Sequence, residues 1–255
     1  YGAYSIWRRI NPLYTGPICR VEKSGGTQVD MGAGMSQLTT TDFQTEAAGA
    51  VLRLIKIYDQ YGTADLTFTV SKADICNSSG VCYTYLGKPT CINIEDYIFG
   101  SSNKSILLIT GSDISSCLIY VFQRVGTQTG FRALIGSSSS ASYGLLAHSG
   151  STGDPLTGVY TNNSYATFSW LRNGAQISSP NRNDVYVQFG NGGIFVESNC
   201  GFNSTSPTPY INGTAYNPLL GYFSELIIMR GNSTSFNLTT AAAYSTEVNS
   251  HYSAY

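Results

Sequence analysis

An all-β sandwich with a short C-terminal helix is the fold class this sequence predicts, on three observations. Short apolar or alternating runs recur along the 255 residues, separated by turns rich in Gly, Ser and Asn. Helical periodicity is confined to two stretches. Charged residues make up 11 % of the chain, against roughly 25 % in an average soluble domain, so Ser, Thr, Asn, Gly and Tyr must supply the polar surface.

The elements follow in order. A helix is expected from Thr41 to about Ala50, capped by Asp42 and weakened by Gly49. Leu52 to Tyr58 is apolar apart from two basic residues. Asp65 to Ser71 alternates, with Leu66, Phe68 and Val70 on one face. Further strands are expected at Ile106–Thr110, Cys117–Gln123, Phe131–Ile135, Tyr165–Leu171, Val185–Phe189, Ile194–Glu197 and Tyr222–Met229. Asn173-Gly174, between Trp170-Leu171-Arg172 and Gln176-Ile177, predicts a type I′ hairpin. The second helix starts at Asn237 or Thr239 and runs through Ala241-Ala242-Ala243 to Glu247 and Val248. Ser137 to Ser142 reads as a loop. No repeat or shift in composition marks a boundary, so residues 1–255 are expected to form one domain.

Net charge is −1 and no basic patch exists, which argues against a nucleic-acid partner. No apolar run approaches the roughly 20 residues of a membrane span. Without an initiator Met or a signal peptide, Tyr1 reads as a processed N-terminus. The cysteines Cys19, Cys76, Cys82, Cys91, Cys117 and Cys200 are even in number, which points to disulfides and an oxidising compartment. Sequence leaves their pairing open; the local expectation is Cys76–Cys82 around Asn77-Ser78-Ser79-Gly80, and free structural thiols are the alternative. With no CxxC pair, and only His148 and His251 as imidazoles, no zinc site is expected. Sequons stand at Asn77, Asn103, Asn162, Asn203, Asn212, Asn232 and Asn237, the pattern of a secreted glycoprotein.

Four blocks resemble one known group. Ala3-Tyr4-Ser5-Ile6-Trp7-Arg8-Arg9 with Tyr14-Thr15-Gly16-Pro17-Ile18-Cys19-Arg20-Val21 is similar to the opening "AYSxRRL…YTGPxxRVRR" of concanavalin A-like sandwich domains. Ile57-Tyr58-Asp59-Gln60-Tyr61-Gly62 resembles their "WYDQSG", which is also found in the catalytic domain of fungal α-L-arabinofuranosidase B. Gly221-Tyr222-Phe223-Ser224-Glu225-Leu226-Ile227 resembles their last strand, and Val248-Asn249-Ser250-His251-Tyr252 their closing helix. The resemblance implies a concanavalin A-like jelly-roll. Lectins, glycosidases and viral surface proteins all use that fold. The opening block reads as a strand pairing with the last strand, and Asp59 as a cap for amides beside Tyr61-Gly62. Glu225, if buried, needs an Arg or backbone amides.

Chemistry is then weighed on carboxylates. A retaining glycosidase needs two of them about 5 Å apart. The resemblance places a nucleophile in a mid-chain "DMEN" segment and an acid in a "GGDN" loop. Here those regions read Tyr143-Gly144-Leu145-Leu146-Ala147-His148-Ser149-Gly150 and Ile211-Asn212-Gly213-Thr214-Ala215-Tyr216-Asn217, with no carboxylate. The loop Asn181-Arg182-Asn183-Asp184 offers oxygen ligands but carries an Arg, and no metal or cofactor is expected. Tyr160, Tyr210 and Tyr216 are the candidate ligand contacts, near turns in a chain with 19 Tyr. The expectation is therefore a non-catalytic secreted or virion-surface glycoprotein domain for extracellular assembly or attachment. Its partners would be other extracellular or virion proteins, copies of itself, or glycans. A lectin-like carbohydrate-binding module and a retaining α-L-arabinofuranosidase-like glycosidase are the alternatives.

Overall fold

The computed structural model describes residues 2–62, 65–68, 73–92, 97–99, 108–109, 114–124, 132–133, 135–137, 144–145, 169–177, 193–200, 202–203, 209–211, 217–218, 221–232 and 238–253. The first half carries β1 (Gly2–Ser5), β2 (Cys19–Lys23), β3 (Gln28–Met31), α1 (Thr40–Ala47), β4 (Leu52–Ile57), β5 (Leu66–Phe68), β6 (Ala73–Cys76), β7 (Thr84–Tyr85), β8 (Lys88–Pro89), β9 (Cys91–Ile92), β10 (Tyr97–Phe99), β11 (Leu108–Ile109) and β12 (Ile114–Arg124). The second half carries β13 (Arg132–Ala133), β14 (Ile135–Ser137), β15 (Gly144–Leu145), β16 (Ser169–Arg172), β17 (Ala175–Ile177), β18 (Gly193–Cys200), β19 (Phe202–Asn203), β20 (Pro209–Ile211), β21 (Asn217–Pro218), β22 (Gly221–Asn232) and α2 (Leu238–Tyr252).

These strands build an all-β sandwich, mostly antiparallel. One run of neighbours reads β15-β14-β20-β10-β5-β4-β6-β9-β22-β12-β18-β16-β17. The long pair β12–β22 forms its spine, from Ile114 opposite Asn232 to Arg124 opposite Gly221. β1 adds to β22 with Ser5 opposite Glu225, so the expected pairing of first and last strands is present. Along β4, Leu52 and Leu54 face inward and Arg53 outward; after Leu54 the phase changes and Ile55 and Ile57 are buried. The register against β2 shifts at the same point: Arg20 faces Lys56 and Val21 faces Leu54, which leaves Ile55 as the extra residue of a bulge on β4.

Most expected strands are found, some with other bounds. The Cys117–Gln123 and Tyr222–Met229 strands extend to Ile114–Arg124 and Gly221–Asn232 because they pair along their whole length. Phe131–Ile135 divides into β13, parallel to β21, and β14, antiparallel to β20. Val185–Phe189 and the Ser137–Ser142 loop beyond Ser137 lie outside the described residues. At the hairpin, Asn173 and Gly174 have φ of 48° and 77°, the pair of positive angles that a type I′ turn demands.

Both helices bury one stripe. In α2, Ser245, Val248 and Tyr252 are buried, and the helix packs on β18, β16 and β12. No helix among the described residues is long and apolar enough to cross a membrane. In α1, Phe43 and Ala47 face β4 and β6. Its cap is Thr39, not Asp42. The Thr39 amide donates to Asp42 Oδ2 at 2.7 Å, while the Asp42 amide donates to Thr39 Oγ1 at 3.2 Å. Asp42 is thus the N3 member of a capping box, and the bond from the Thr39 amide holds its carboxyl below the ordinary range.

The Cys76–Cys82 disulfide is present. Between the two cysteines, the Asn77 carbonyl oxygen accepts from Gly80 N, and its side-chain Oδ1 accepts from Ser79 N and Val81 N. Gly80 has φ +72° and lies against Gly49; an added Cβ would stand 2.6 Å from Gly49 Cα, so this approach needs glycine. Replacing both cysteines by Ser should lower stability by about 2 kcal/mol, the loop entropy of so short a ring. Urea denaturation of the oxidised parent and the double variant measures it. Not every cysteine is bridged: Cys19 and Cys91 are free thiols with no exposure, and burial pushes both well above the ordinary thiol range. They act as small apolar core residues, which corrects the expectation of a full disulfide set.

Candidate functional site

Three clusters stand out among the polar groups of the described residues. The first joins the two ends of the chain. Glu225, on the central strand β22, has no exposed surface, and Arg8, just past β1, is 4 % exposed. Arg8 Nε donates to Glu225 Oε2 at 2.8 Å and Nη2 to Oε1 at 2.5 Å, a two-pronged bond. Tyr252 of α2 donates its hydroxyl to Glu225 Oε2 at 3.2 Å and accepts from Trp7 Nε1 at 2.7 Å. The Trp7 and Tyr252 rings meet edge to face, 5.6 Å apart, and the Lys88 ammonium stands 5.0 Å from the Trp7 ring centre. Burial pushes the Tyr252 phenol far above its ordinary range, and Glu225 adds to it. For Arg8, burial opposes the charge, and the Glu225 carboxylate outweighs it and raises the pKa. Both oxygens of Glu225 are engaged and covered, so this carboxylate ties strand to helix and is not presented to a substrate. The Arg partner expected from the sequence is present. Beside it, Trp7, Gln37, Thr39, Thr41 and Lys88 border a shallow cleft of about 280 Å³.

The second cluster is the Tyr58–Gly62 segment. Asp59 is 2 % exposed, and its Oδ1 accepts from Ala3 N at 3.2 Å and from Tyr61 N at 3.0 Å. The expected cap is therefore there, and it also anchors β1. Gln60, 1 % exposed, accepts at Oε1 from Ile10 N and Asn11 N and donates Nε2 to the Arg8 carbonyl oxygen. Asn11 Nδ2 donates to the Gln60 carbonyl oxygen at 2.8 Å. Asp59 and Gln60 of the "YDQ" block anchor the first eleven residues, which a carboxylate acceptor and a two-way amide are suited to do.

The third cluster lies on the outer surface. Arg20 and Asp30 sit opposite each other on β2 and β3, joined at 2.6 and 2.9 Å. Tyr58 donates its hydroxyl to Asp30 Oδ1 at 2.6 Å. Lys56 Nζ stands 5.1 Å from the Tyr58 ring centre and 3.1 Å from Asp65 Oδ2. Asp65 Oδ1 accepts from Asp59 N at 3.0 Å, tying this face to the anchor behind it. The Arg20 hydrogen bond holds the Asp30 carboxyl below the ordinary range, against some burial. Burial and the Asp30 bond raise the Tyr58 phenol, and burial together with Asp65, Asp59 and Asp30 raises Tyr14 to about 12.

Several sequence candidates fall elsewhere. Tyr160 and Tyr216 lie outside the described residues, and Tyr210 is placed by its backbone alone, opposite Gly136 and Ile98. Cys117 and Cys200 are likewise placed on β12 and β18 by backbone. Asn103, Asn162, Asn212 and Asn237 lie outside the description, and Asn203 and Asn232 are described as strand backbone. Asn77 is half-buried in its turn. The third cluster was missed by sequence reasoning. Its signal was present in the Ser24-Gly25-Gly26 turn, which sets Arg20 and Asp30 across a hairpin.

No protein-family model matches the chain, and no curated protein does. Solved structures do. A crystal structure of an arabinofuranosidase complexed with arabinofuranosyl-α-1,2-xylobiose superposes with a TM-score of 0.54 at 13 % identity, over 98 % of this chain and 62 % of that one. A GH54 α-L-arabinofuranosidase soaked with a cyclic sulfate inhibitor gives 0.53 at 12 % identity, with the same coverage. The chain thus spans less than two thirds of the enzymes it resembles. These neighbours overturn the expectation that no catalysis occurs, since both are glycosidases. That expectation rested on carrying two carboxylates over by motif. Loops change length freely, so a missing motif in one loop does not remove a carboxylate supplied by another. Residues 143 and 146–150 and residues 212–216 of those two regions lie outside the description.

Proposed function

We propose that this chain is a carbohydrate-active sandwich of the arabinofuranosidase type, acting on arabinofuranosyl groups of extracellular glycans. One observation carries the reading. The superposition on the arabinofuranosidase bound to arabinofuranosyl-α-1,2-xylobiose runs over 98 % of the chain, not over a common core of a few strands. The Cys76–Cys82 disulfide supports a secretory route and an oxidising compartment, where the sequons would be glycosylated. Glu225 is not one of the reacting carboxylates, because Arg8 and Tyr252 hold both its oxygens. The acid and its partner come from other Asp or Glu residues.

Release of 4-nitrophenol from 4-nitrophenyl α-L-arabinofuranoside tests this. The expected result is turnover above that of heat-unfolded protein, abolished by amide replacement of two of the remaining carboxylates. A folded chain that neither cleaves this compound nor binds arabinofuranosyl-α-1,2-xylobiose would refute the proposal.

A further inference from the structure

The Tyr58–Gly62 segment and the third cluster next to it have features that the anchoring role does not need. Tyr61 is 52 % exposed and Leu13 87 % exposed, two of the large apolar side chains that the described surface leaves open to water. They stand on adjoining loops, since Asn11 bonds both to the Gln60 carbonyl oxygen and, through Oδ1, to Leu13 N. Hydrogen bonds brace both loops: Asp59 accepts from the Tyr61 amide, and Gln60 from the amides of Ile10 and Asn11. An aromatic ring held out on a fixed turn loses little entropy on contact with a ligand.

Asp59 links this patch to the part-exposed pairs Arg20–Asp30 and Lys56–Asp65: it accepts from Tyr61 N and donates its own amide to Asp65, and the Tyr58 hydroxyl bonds Asp30. Two positive and two negative charges cancel. The face therefore attracts neither an anion nor a cation, yet it presents oriented donors and acceptors next to an exposed ring. A neutral polyhydroxylated ligand matches that combination: C–H faces on the tyrosine, hydroxyls on the fixed Asp–Arg and Asp–Lys pairs.

We infer that Tyr61, with Leu13 and the Tyr58–Asp30–Arg20 and Lys56–Asp65 groups, forms a binding surface for a neutral saccharide. This rests on the proposal above that the chain takes arabinofuranosyl carbohydrate. It adds where that carbohydrate is gripped, apart from the buried ion pair.

Isothermal titration with arabinofuranosyl-α-1,2-xylobiose tests it on the parent, Tyr61→Ala and Tyr61→Phe. Tyr61→Ala should weaken binding about tenfold, the size of a lost ring contact, with an unchanged melting temperature. Tyr61→Phe keeps the ring and should bind within about twofold of the parent. If the parent binds and Tyr61→Ala binds equally well, this surface is wrong and the arabinofuranosidase-type reading stands. If the parent neither binds nor cleaves any arabinofuranoside, both fall. If gel filtration instead finds self-association that Tyr61→Ala removes, without saccharide binding, the face is a protein interface and the inference is overturned.

Discussion

Glu225→Ala should lower the unfolding free energy by about 3–5 kcal/mol, the cost of leaving one member of a buried ion pair without its partner. The deletion strands the Arg8 guanidinium at 4 % exposure, removes the acceptor for Tyr252, and leaves a void on the central strand. Arg8→Ala should cost a similar amount, since it strands the carboxylate instead. The double variant Arg8→Met, Glu225→Leu should recover most of the loss, because a well-packed apolar pair replaces a buried ionic one at little net cost. Chemical denaturation of the parent, Arg8→Met, Glu225→Leu and their double variant closes the cycle. Additive losses in the double variant would mean that the two charges do not depend on each other, and the account given for this cluster would be wrong. Loss of the contact should also loosen α2, since Tyr252 is its link to β22. Hydrogen exchange in the last turn of α2 reports that separately.

Asp59→Ala is expected to cost about 2–4 kcal/mol, because two backbone donors, Ala3 N and Tyr61 N, lose their acceptor together and Ala3 is fully buried. Asp59→Asn keeps an oxygen in the same place and should cost under about 1 kcal/mol. The two variants separate geometry from charge. If Asn is as damaging as Ala, the carboxylate acts by its charge on this surface and not as a backbone cap. The readout is urea denaturation together with exchange of the Ala3 and Tyr61 amides, which should lose protection in Asp59→Ala and keep it in Asp59→Asn.

Much of the fold was legible in local pattern. Asn173-Gly174 announced its hairpin because both positions need positive φ, and few other dipeptides accept that. Asp59 announced a cap because a short carboxylate reaches amides two residues ahead. The Cys76–Cys82 bridge was the local expectation, because the turn Asn77-Ser78-Ser79-Gly80 brings the two cysteines back together. Where pattern failed, the cause was also physical. Thr39 and Asp42 are both good capping residues, and only the direction in which the chain enters α1 decides which caps and which reaches back. Cys19, Cys91 and the bridged Cys76 are alike in sequence and equally buried, so only the tertiary placement of the sulfurs shows which are bridged.

By itself the sequence determined the strands that alternation marks, the Asn173-Gly174 turn, the two helices and the likeness to a lectin-type sandwich. Period-two alternation, turn chemistry and capping are all settled within a few residues. Only the tertiary structure decided that Glu225 meets Arg8 across 217 residues, that Tyr252 closes the pair, and that Tyr58 joins Arg20 and Asp30 on an exposed face. Those partners are chosen by strand register and by how the sheets fold over one another, and no local signal in the chain encodes a distance between its ends.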